Sequence, residues 1–376
     1  MCARLEPPPS VSRLLSKDLI AQRVQARVLE RNSWAPGENE PDPKLMLPHW
    51  REMIFPKIPT QQELDLAFPV RVPKWEQLKS PPPDKIQCTW IGHSTMLIQM
   101  SGINILTDPV FSDRCSPFQA FGPKRFRKPA CSIQDLKFND IGIDIVLLSH
   151  NHYDHLDYDS IKTLASSTNP PLFVVPLGLK EWFRQNISTP NIEIVEMDWH
   201  ESFPWEGDGP LSITSVPMRH WSSRVGWDRD KTLWCGYVLE GKTLSPPVTS
   251  LLSSSSSTES ARGAAASSTP LKFLFPGDTS WFDGLHEIGT NYGPFDLAGI
   301  PIGAYCPWEF MKTYHIDPPH AVKMMKAVQA KMAVPIHFGT FVLTFEPVLE
   351  PVEWLERINE GLNFGRWNIG DTVTSQ

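Results

Sequence analysis

A mixed α/β sandwich is the fold class this sequence predicts, on two observations. From Lys85 the chain breaks into short apolar runs at residues 86–91, 95–100 and 103–107, punctuated by Gly92 and Gly102, and runs of that length and spacing make an antiparallel meander. Beyond residue 145, strand-like and helix-like stretches alternate, the pattern of helices laid over a sheet. A meander that passes into such alternation excludes a purely parallel, doubly wound sheet.

Taken in order, residues 1–83 form a proline-rich N-terminal extension, with Pro7-Pro8-Pro9 near its start and Pro81-Pro82-Pro83 at its end; it is expected to be partly extended, with little core of its own. One helix is expected over residues 11–31, where Leu14, Leu15, Leu19, Ile20, Val24 and Val28 recur at helical spacing. Arg4, Arg13, Lys17, Arg23, Arg27 and Arg31 give it a basic side, which suits a mitochondrial transit peptide or a surface helix; Glu6, Asp18 and Glu30 speak against the first. The apolar run at residues 45–55 either docks on the core or faces lipid, and docking is the expectation.

Residues 84–376 form the second unit. After the meander, Asp108-Pro109 breaks the strand, and a loop follows whose cations Lys124, Arg125, Arg127 and Lys128 either meet an anionic head group or are simply solvated. Residues 145–149 read as a buried strand, 160–164 as the start of a helix, 172–176 as a strand, 179–186 as a helix and 192–197 as a strand. Four later strands, at 211–216, 271–275, 295–302 and 332–336, each deliver polar residues at the carboxyl end, where sites in α/β sheets lie. The serine-rich stretch 245–269 is low in complexity and reads as a disordered surface insertion in a hairpin. Asp317 caps a helix that Pro318 opens and that is expected to run through Lys331, with His315 just before its positive end.

With 376 residues and 41% apolar content there is material for a sizeable core. A net charge of −7 leaves no basic footprint for a nucleic-acid backbone. Cys2, Cys88, Cys115, Cys131, Cys235 and Cys306 include no C-x-x-C pair and read as reduced thiols of an intracellular protein. No apolar run approaches the ~20 residues needed to cross a bilayer, so any membrane association is expected to be peripheral.

The chemistry is concentrated where the 145–149 strand ends, in His150-Asn151-His152-Tyr153-Asp154-His155. His150 and His152 are two apart, so on an extended segment they leave the same face and can close on one metal. Asp154 and His155 follow after a turn, offset enough to hold a second ion beside the first. Imidazole and carboxylate suit zinc or a similar divalent ion, and paired ions are the two-metal sites of hydrolysis. A polar loop of hydrogen-bonded histidines has no need of that repetition. His220, Asp278 and His337, each just after a later strand, complete two sets: His150, His152 and His220 for one ion, Asp154, His155 and His337 for the other, with Asp278 bridging.

This set and its order along the chain resemble the metallo-β-lactamase superfamily, whose fold is a four-layer αβ/βα sandwich. Between the ligands, Leu106-Thr107-Asp108-Pro109-Val110-Phe111-Ser112, Gly122-Pro123-Lys124-Arg125-Phe126-Arg127, Gly293-Pro294-Phe295-Asp296-Leu297-Ala298, Ile300-Pro301-Ile302-Gly303-Ala304-Tyr305 and His337-Phe338-Gly339-Thr340-Phe341 look like the N-acylphosphatidylethanolamine-hydrolysing phospholipase D family. The likeness runs from about Leu45 to the C-terminus. It implies an enzyme with two Zn2+ ions that cuts the phosphodiester of a membrane phospholipid, releasing phosphatidic acid and an N-acylethanolamine. It also favours His315 as a residue touching phosphate or leaving group, with Tyr305 beside it as a substrate contact, and Asp154 as ligand and orienter of the attacking water. His93 is expected to support a ligand loop, while His49, His200, His286 and His320 are assigned to structure or surface. A homodimer is left open. The serine-rich insertion has no counterpart in the family pattern, and Cys306 stands where that pattern has an acidic residue.

Two rival readings remain at this level. One is a hydrolase of the same fold acting on a soluble lactone or phosphodiester; the apolar run near Trp50 favours a lipid instead. The other is a metal-stabilised scaffold or lipid-binding protein, which a missing ligand would suggest, and none is missing.

Overall fold

The computed structural model describes residues 15–35, 41–49, 56–206, 210–243 and 269–376. The serine-rich insertion up to residue 268 and the run from Trp50 to Phe55 therefore lie outside the described residues, as does the first part of the helix expected from residue 11.

Two mixed sheets face each other. The first has the order β13-β1-β2-β3-β4-β5-β6, from β1 (Gln87–Gly92), β2 (Thr95–Met100), β3 (Ile103–Thr107), β4 (Ile145–Leu147), β5 (Leu172–Pro176), β6 (Ile194–Met197) and β13 (Thr372–Thr374). The second has the order β12-β11-β10-β9-β8-β7, from β7 (Ser202–Glu206), β8 (Pro210–Val216), β9 (Gly236–Gly241), β10 (Leu271–Phe275), β11 (Leu297–Pro301) and β12 (Ala333–Ile336). The expected meander is β1-β2-β3, antiparallel, and the alternating region supplies parallel β4, β5 and β6. β9 and β10 pair antiparallel as the interrupted hairpin.

Side-chain alternation sorts the first sheet's residues between two layers. Ile105, Leu147 and Val174 point into the core between the sheets, whereas Leu106, Val146, Phe173 and Val175 point to the outer helices. Those helices are α4 (Ile133–Phe138), α5 (Tyr158–Ala165) and α6 (Lys180–Asn186), whose Leu136, Ile161, Leu164 and Phe183 complete that outer core. On the other side α7 (Gly284–Tyr292), α9 (Pro318–Ala327) and α10 (Glu350–Ile358) cover the second sheet, and α8 (Trp308–Met311) is a single turn. The result is the helix-sheet-sheet-helix sandwich.

α9 stops short of Lys331. Gln329 takes a positive φ of 59°, and Lys331 N–H donates to the Phe295 carbonyl at 2.9 Å, so the chain leaves the helix to enter β12. β7, β13, α4, α7 and α10 were not anticipated.

The N-terminal part corrects a second expectation. α1 (Lys17–Ser33), α2 (Gln61–Ala67) and α3 (Trp75–Lys79) dock on the sandwich, and Val24, Val28 and Phe68 join the core between the sheets. The basic side of α1 faces the domain: Arg27 Nε donates to Asp198 at 2.9 Å, and Arg31 is buried. The cationic loop is corrected as well. Arg125 and Arg127 are buried, Arg125 donating to the Ser112 and Val110 carbonyls and Arg127 pairing with Asp65, so only Lys124 and Lys128 face solvent.

Candidate metal centre

The end of β4 enters the cluster at Ser149, whose carbonyl accepts from Cys235 N at 2.9 Å and so ties the two sheets together. Gly277, just after β10, has φ +61°, and a Cβ there would overlap the Ser149 side chain. That close approach requires glycine and sets Asp278 against the histidines of the β4 loop.

His150 Nε2 and His220 Nε2 stand 2.8 Å and 3.2 Å from His152 Nδ1. Their outer nitrogens are engaged, His150 Nδ1 with Ser149 Oγ at 2.9 Å and His220 Nδ1 donating to the Tyr314 carbonyl at 2.9 Å, which turns the lone pairs inward. Burial holds His152 down at about 4, His220 at about 3 and His150 well below its ordinary range. Three neutral imidazoles thus aim at one point.

The second group lies alongside. Asp154 Oδ2 is 3.3 Å from both His155 Nε2 and His337 Nε2, and 3.0 Å from His93 Nε2. Asp278 Oδ2 sits between the groups, 3.0 Å from His337 Nε2, 3.1 Å from His155 Nε2, 3.7 Å from His220 Nε2 and 3.9 Å from His150 Nε2. Burial opposes charge on His337, but the Asp278 and Asp154 carboxylates outweigh it and hold the ring up at about 9; the same contest leaves His155 well above its ordinary value. His155 Nε2, His315 Nδ1, His152 Nε2 and Asp278 Oδ1 are buried without a hydrogen-bond partner. Buried polar atoms are rarely left so, and a donor set of imidazoles and carboxylates around such atoms fits divalent cations.

All seven residues expected as ligands are therefore brought together. His93 is beside them and buried, and its carbonyl accepts from His337 N at 3.1 Å. His315 forms part of the wall, Nδ1 lying 3.9 Å from Asp278 Oδ2. The helix donors expected near it are taken, because Asp317 caps α9 by accepting from His320 N. Tyr305 is turned elsewhere: its hydroxyl donates to Glu350 at 2.7 Å. Cys306 N and Ala304 N both donate to the carboxylate of Glu346, at 3.1 Å and 2.6 Å, so an acidic group from a later loop serves the backbone there.

Sequence reading missed two supports. Asp108, fully buried, accepts from Ser149 N at 2.7 Å, Ser149 Oγ at 2.6 Å and His155 Nδ1 at 2.6 Å. In the sequence Asp108 reads as a strand break and as part of the family motif; an acid at the end of β3, parallel to the ligand-bearing β4, is the signal for a support of the ligands. Arg224 donates to the Asn151 and Leu156 carbonyls at 2.9 Å and 2.8 Å with its guanidinium 3.9 Å from the Tyr153 ring centre, bracing the ligand loop from both ends. Nothing local in the sequence points to it.

A family model described as "Beta-lactamase superfamily domain" matches residues 103–245 and 247–338. A Caenorhabditis elegans protein named N-acyl-phosphatidylethanolamine-hydrolyzing phospholipase D 1 is 35% identical over 315 residues, covering 82% of this chain and 79% of its own. A Saccharomyces cerevisiae protein, named as the mitochondrial enzyme of that kind, is 32% identical over 299 residues; they are 79% of this chain but 56% of its own length. Among solved structures, the metallo hydrolase Igni18 of Ignicoccus hospitalis superposes with a TM-score of 0.53 at 19% identity, over 78% of this chain and 99% of that one. An isothiocyanate hydrolase from Delia radicum gut bacteria gives 0.51 at 16%, over 77% and 99%. These two likenesses speak to the fold.

Proposed function

Because this chain belongs to the β-lactamase superfamily of metal-dependent hydrolases and, within it, to the N-acyl-phosphatidylethanolamine-hydrolysing phospholipase D family, we propose that it is a di-zinc phosphodiesterase. Its substrate is an N-acylphosphatidylethanolamine, and its products are phosphatidic acid and an N-acylethanolamine. The observation that carries the reading is the position of Asp278 Oδ2 between a three-imidazole group and an Asp-His-His group, 3.0 Å to 3.9 Å from four of their nitrogens. The names of the relatives supply the substrate class.

In this reading His150, His152 and His220 would hold one ion and Asp154, His155 and His337 the other, with Asp278 within reach of both groups. Bound there, two divalent cations would supply a water whose pKa is lowered towards ~7 and positive charge to offset that growing on phosphoryl oxygens. The protein does the positioning. Asp154, fixed through Oδ2 by His93, orients the attacking water, whose oxygen ends on phosphorus as the bond to the ethanolamine oxygen breaks. His315 hydrogen-bonds the phosphate or the departing oxygen in this reading, which its buried Nδ1 without a hydrogen-bond partner supports. The leaving oxygen ends protonated, as the N-acylethanolamine hydroxyl.

A lipid substrate reached from the membrane surface is supported by the aromatic surroundings. Trp221 packs 4.5 Å from His152 and Phe341 5.3 Å from His93, while Phe118, Phe121 and Trp227 stand 68%, 75% and 78% exposed. Among the described residues no helix is long and apolar enough to cross a membrane.

The test is hydrolysis of N-acylphosphatidylethanolamine by the purified, zinc-loaded protein in 18O-labelled water. The label is expected in phosphatidic acid and absent from the N-acylethanolamine. Turnover that survives chelation, or cleavage only of soluble lactones or diesters, would overturn the reading.

A further inference from the structure

We propose that Arg31 of α1 is a positioning residue for His220, and that docking of the N-terminal helix and metal binding at His150, His152 and His220 stabilise each other. This rests on the metal-centre reading and is independent of the substrate. α1 lies before the residues that the family model matches, and the mechanism above makes no use of it.

His220 is held at two points. Its ring is fixed through Nδ1 to the Tyr314 carbonyl, and its own carbonyl accepts from Arg31 Nη1 at 3.0 Å, a bond between residues 189 positions apart. A buried carbonyl without a donor is costly, so the residue supplying this donor also sets the plane of the peptide that follows the imidazole. Arg31 is only 7% exposed and its guanidinium stands 5.1 Å from the Trp234 ring centre. The indole N–H of Trp234 donates to the Met218 carbonyl at 2.7 Å, two residues before the ligand. One guanidinium and the ring beneath it therefore brace both sides of the segment that presents His220.

What holds Arg31 there is the docking of the whole helix. Val24 is 1% exposed, Arg27 donates to Asp198, and Trp34 at the helix end stacks 4.4 Å from Phe282 and 5.4 Å from Trp199. Ligand sets have to be held to within about 0.5 Å for tight binding, and a main-chain anchor on one of three ligands contributes directly to that tolerance. Groups that orient ligands are worth about 10–100-fold in metal affinity. By linkage, whatever factor the docked helix adds to metal affinity, bound metal returns to helix docking.

The experiment uses the full chain, stripped of metal and then given metal alone, with no lipid. In the wild type, two equivalents of Zn2+ are expected to slow amide exchange in residues 17–33 at least tenfold; equal exchange with and without zinc would overturn the proposal. Arg31→Met is expected to weaken one of two Co2+ equivalents by 10–100-fold, to alter the visible absorption of the bound cobalt, and to leave exchange in the helix insensitive to metal. Wild-type cobalt affinity and spectrum in that variant would equally overturn it. Should Arg31→Met fail to fold, the wild-type exchange comparison decides alone. A wild type that binds no metal would refute the centre itself, a failure separate from this one.

Discussion

Asp108→Asn isolates the brace behind His155. In the structure Asp108 Oδ1 accepts from Ser149 N, and Oδ2 accepts from both Ser149 Oγ and His155 Nδ1. Asparagine keeps the shape, and its oxygen can retain the bond from Ser149 N. Its amide then occupies the Oδ2 position, where Ser149 Oγ can rotate to accept from it. His155 Nδ1–H cannot adjust so cheaply, because it would face a second donor. The ring must give up that bond or move its proton to Nε2, the nitrogen that faces Asp154 and Asp278 and that a cation would need. One hydrogen bond to a charged group is worth about 1.5–3 kcal/mol, and at about 1.4 kcal/mol per decade that is roughly a 10- to 150-fold loss of affinity. The assay is competition for zinc against a chromophoric chelator, with the folded state checked by circular dichroism. Both metal equivalents binding within threefold of wild type would show that Asp108 does not set the His155 tautomer.

Three further outcomes are expected. Asp278→Asn should remove activity and bound metal together, because the same oxygen faces both ligand groups; full activity in that variant would refute the bridging role. Arg224→Met leaves the Asn151 and Leu156 carbonyls without their donor and should lower the unfolding free energy of metal-free protein by about 3 kcal/mol in urea titrations; a change under about 0.5 kcal/mol would mean the loop holds itself. For metal-stripped protein, stability should peak near the ordinary histidine pKa of ~6.5. Below it, His93, His152 and His220, held at about 4, 4 and 3 mainly by burial, stay neutral while the unfolded chain takes up protons, so stability falls with falling pH. Above it, His337, held at about 9, keeps a proton that the unfolded chain has lost, so stability falls as pH rises through about 9. A urea midpoint rising steadily from pH 4 to 9 would contradict the assignment.

Much of this molecule was legible before folding was considered. β2, β3, β5 and β10 begin and end where their apolar runs do, and the ligands sit at strand ends. Alternation, turn residues and helix caps are properties of adjacent positions, so the sequence by itself determined the strands, the cap at Asp317 and the histidine cluster. The short edge strands β7 and β13 escape it because they are defined by the strands they pair with, whereas α4, with its Ser132–Asp135 capping box, and the amphipathic α10 carry local signals that the sequence reading passed over.

Only tertiary structure decided which groups brace that cluster. Asp108 meets His155 across 47 positions, Arg224 meets Asn151 across 73, and Arg31 meets His220 across 189. Arg125 and Arg127 read as solvated charge until packing buries them, and the basic side of α1 reads as surface until Asp198 is brought to it. A partner for a buried carbonyl or an imidazole nitrogen is chosen by the register of two sheets and the docking of a helix, and that geometry leaves no periodicity in the chain for a sequence to display.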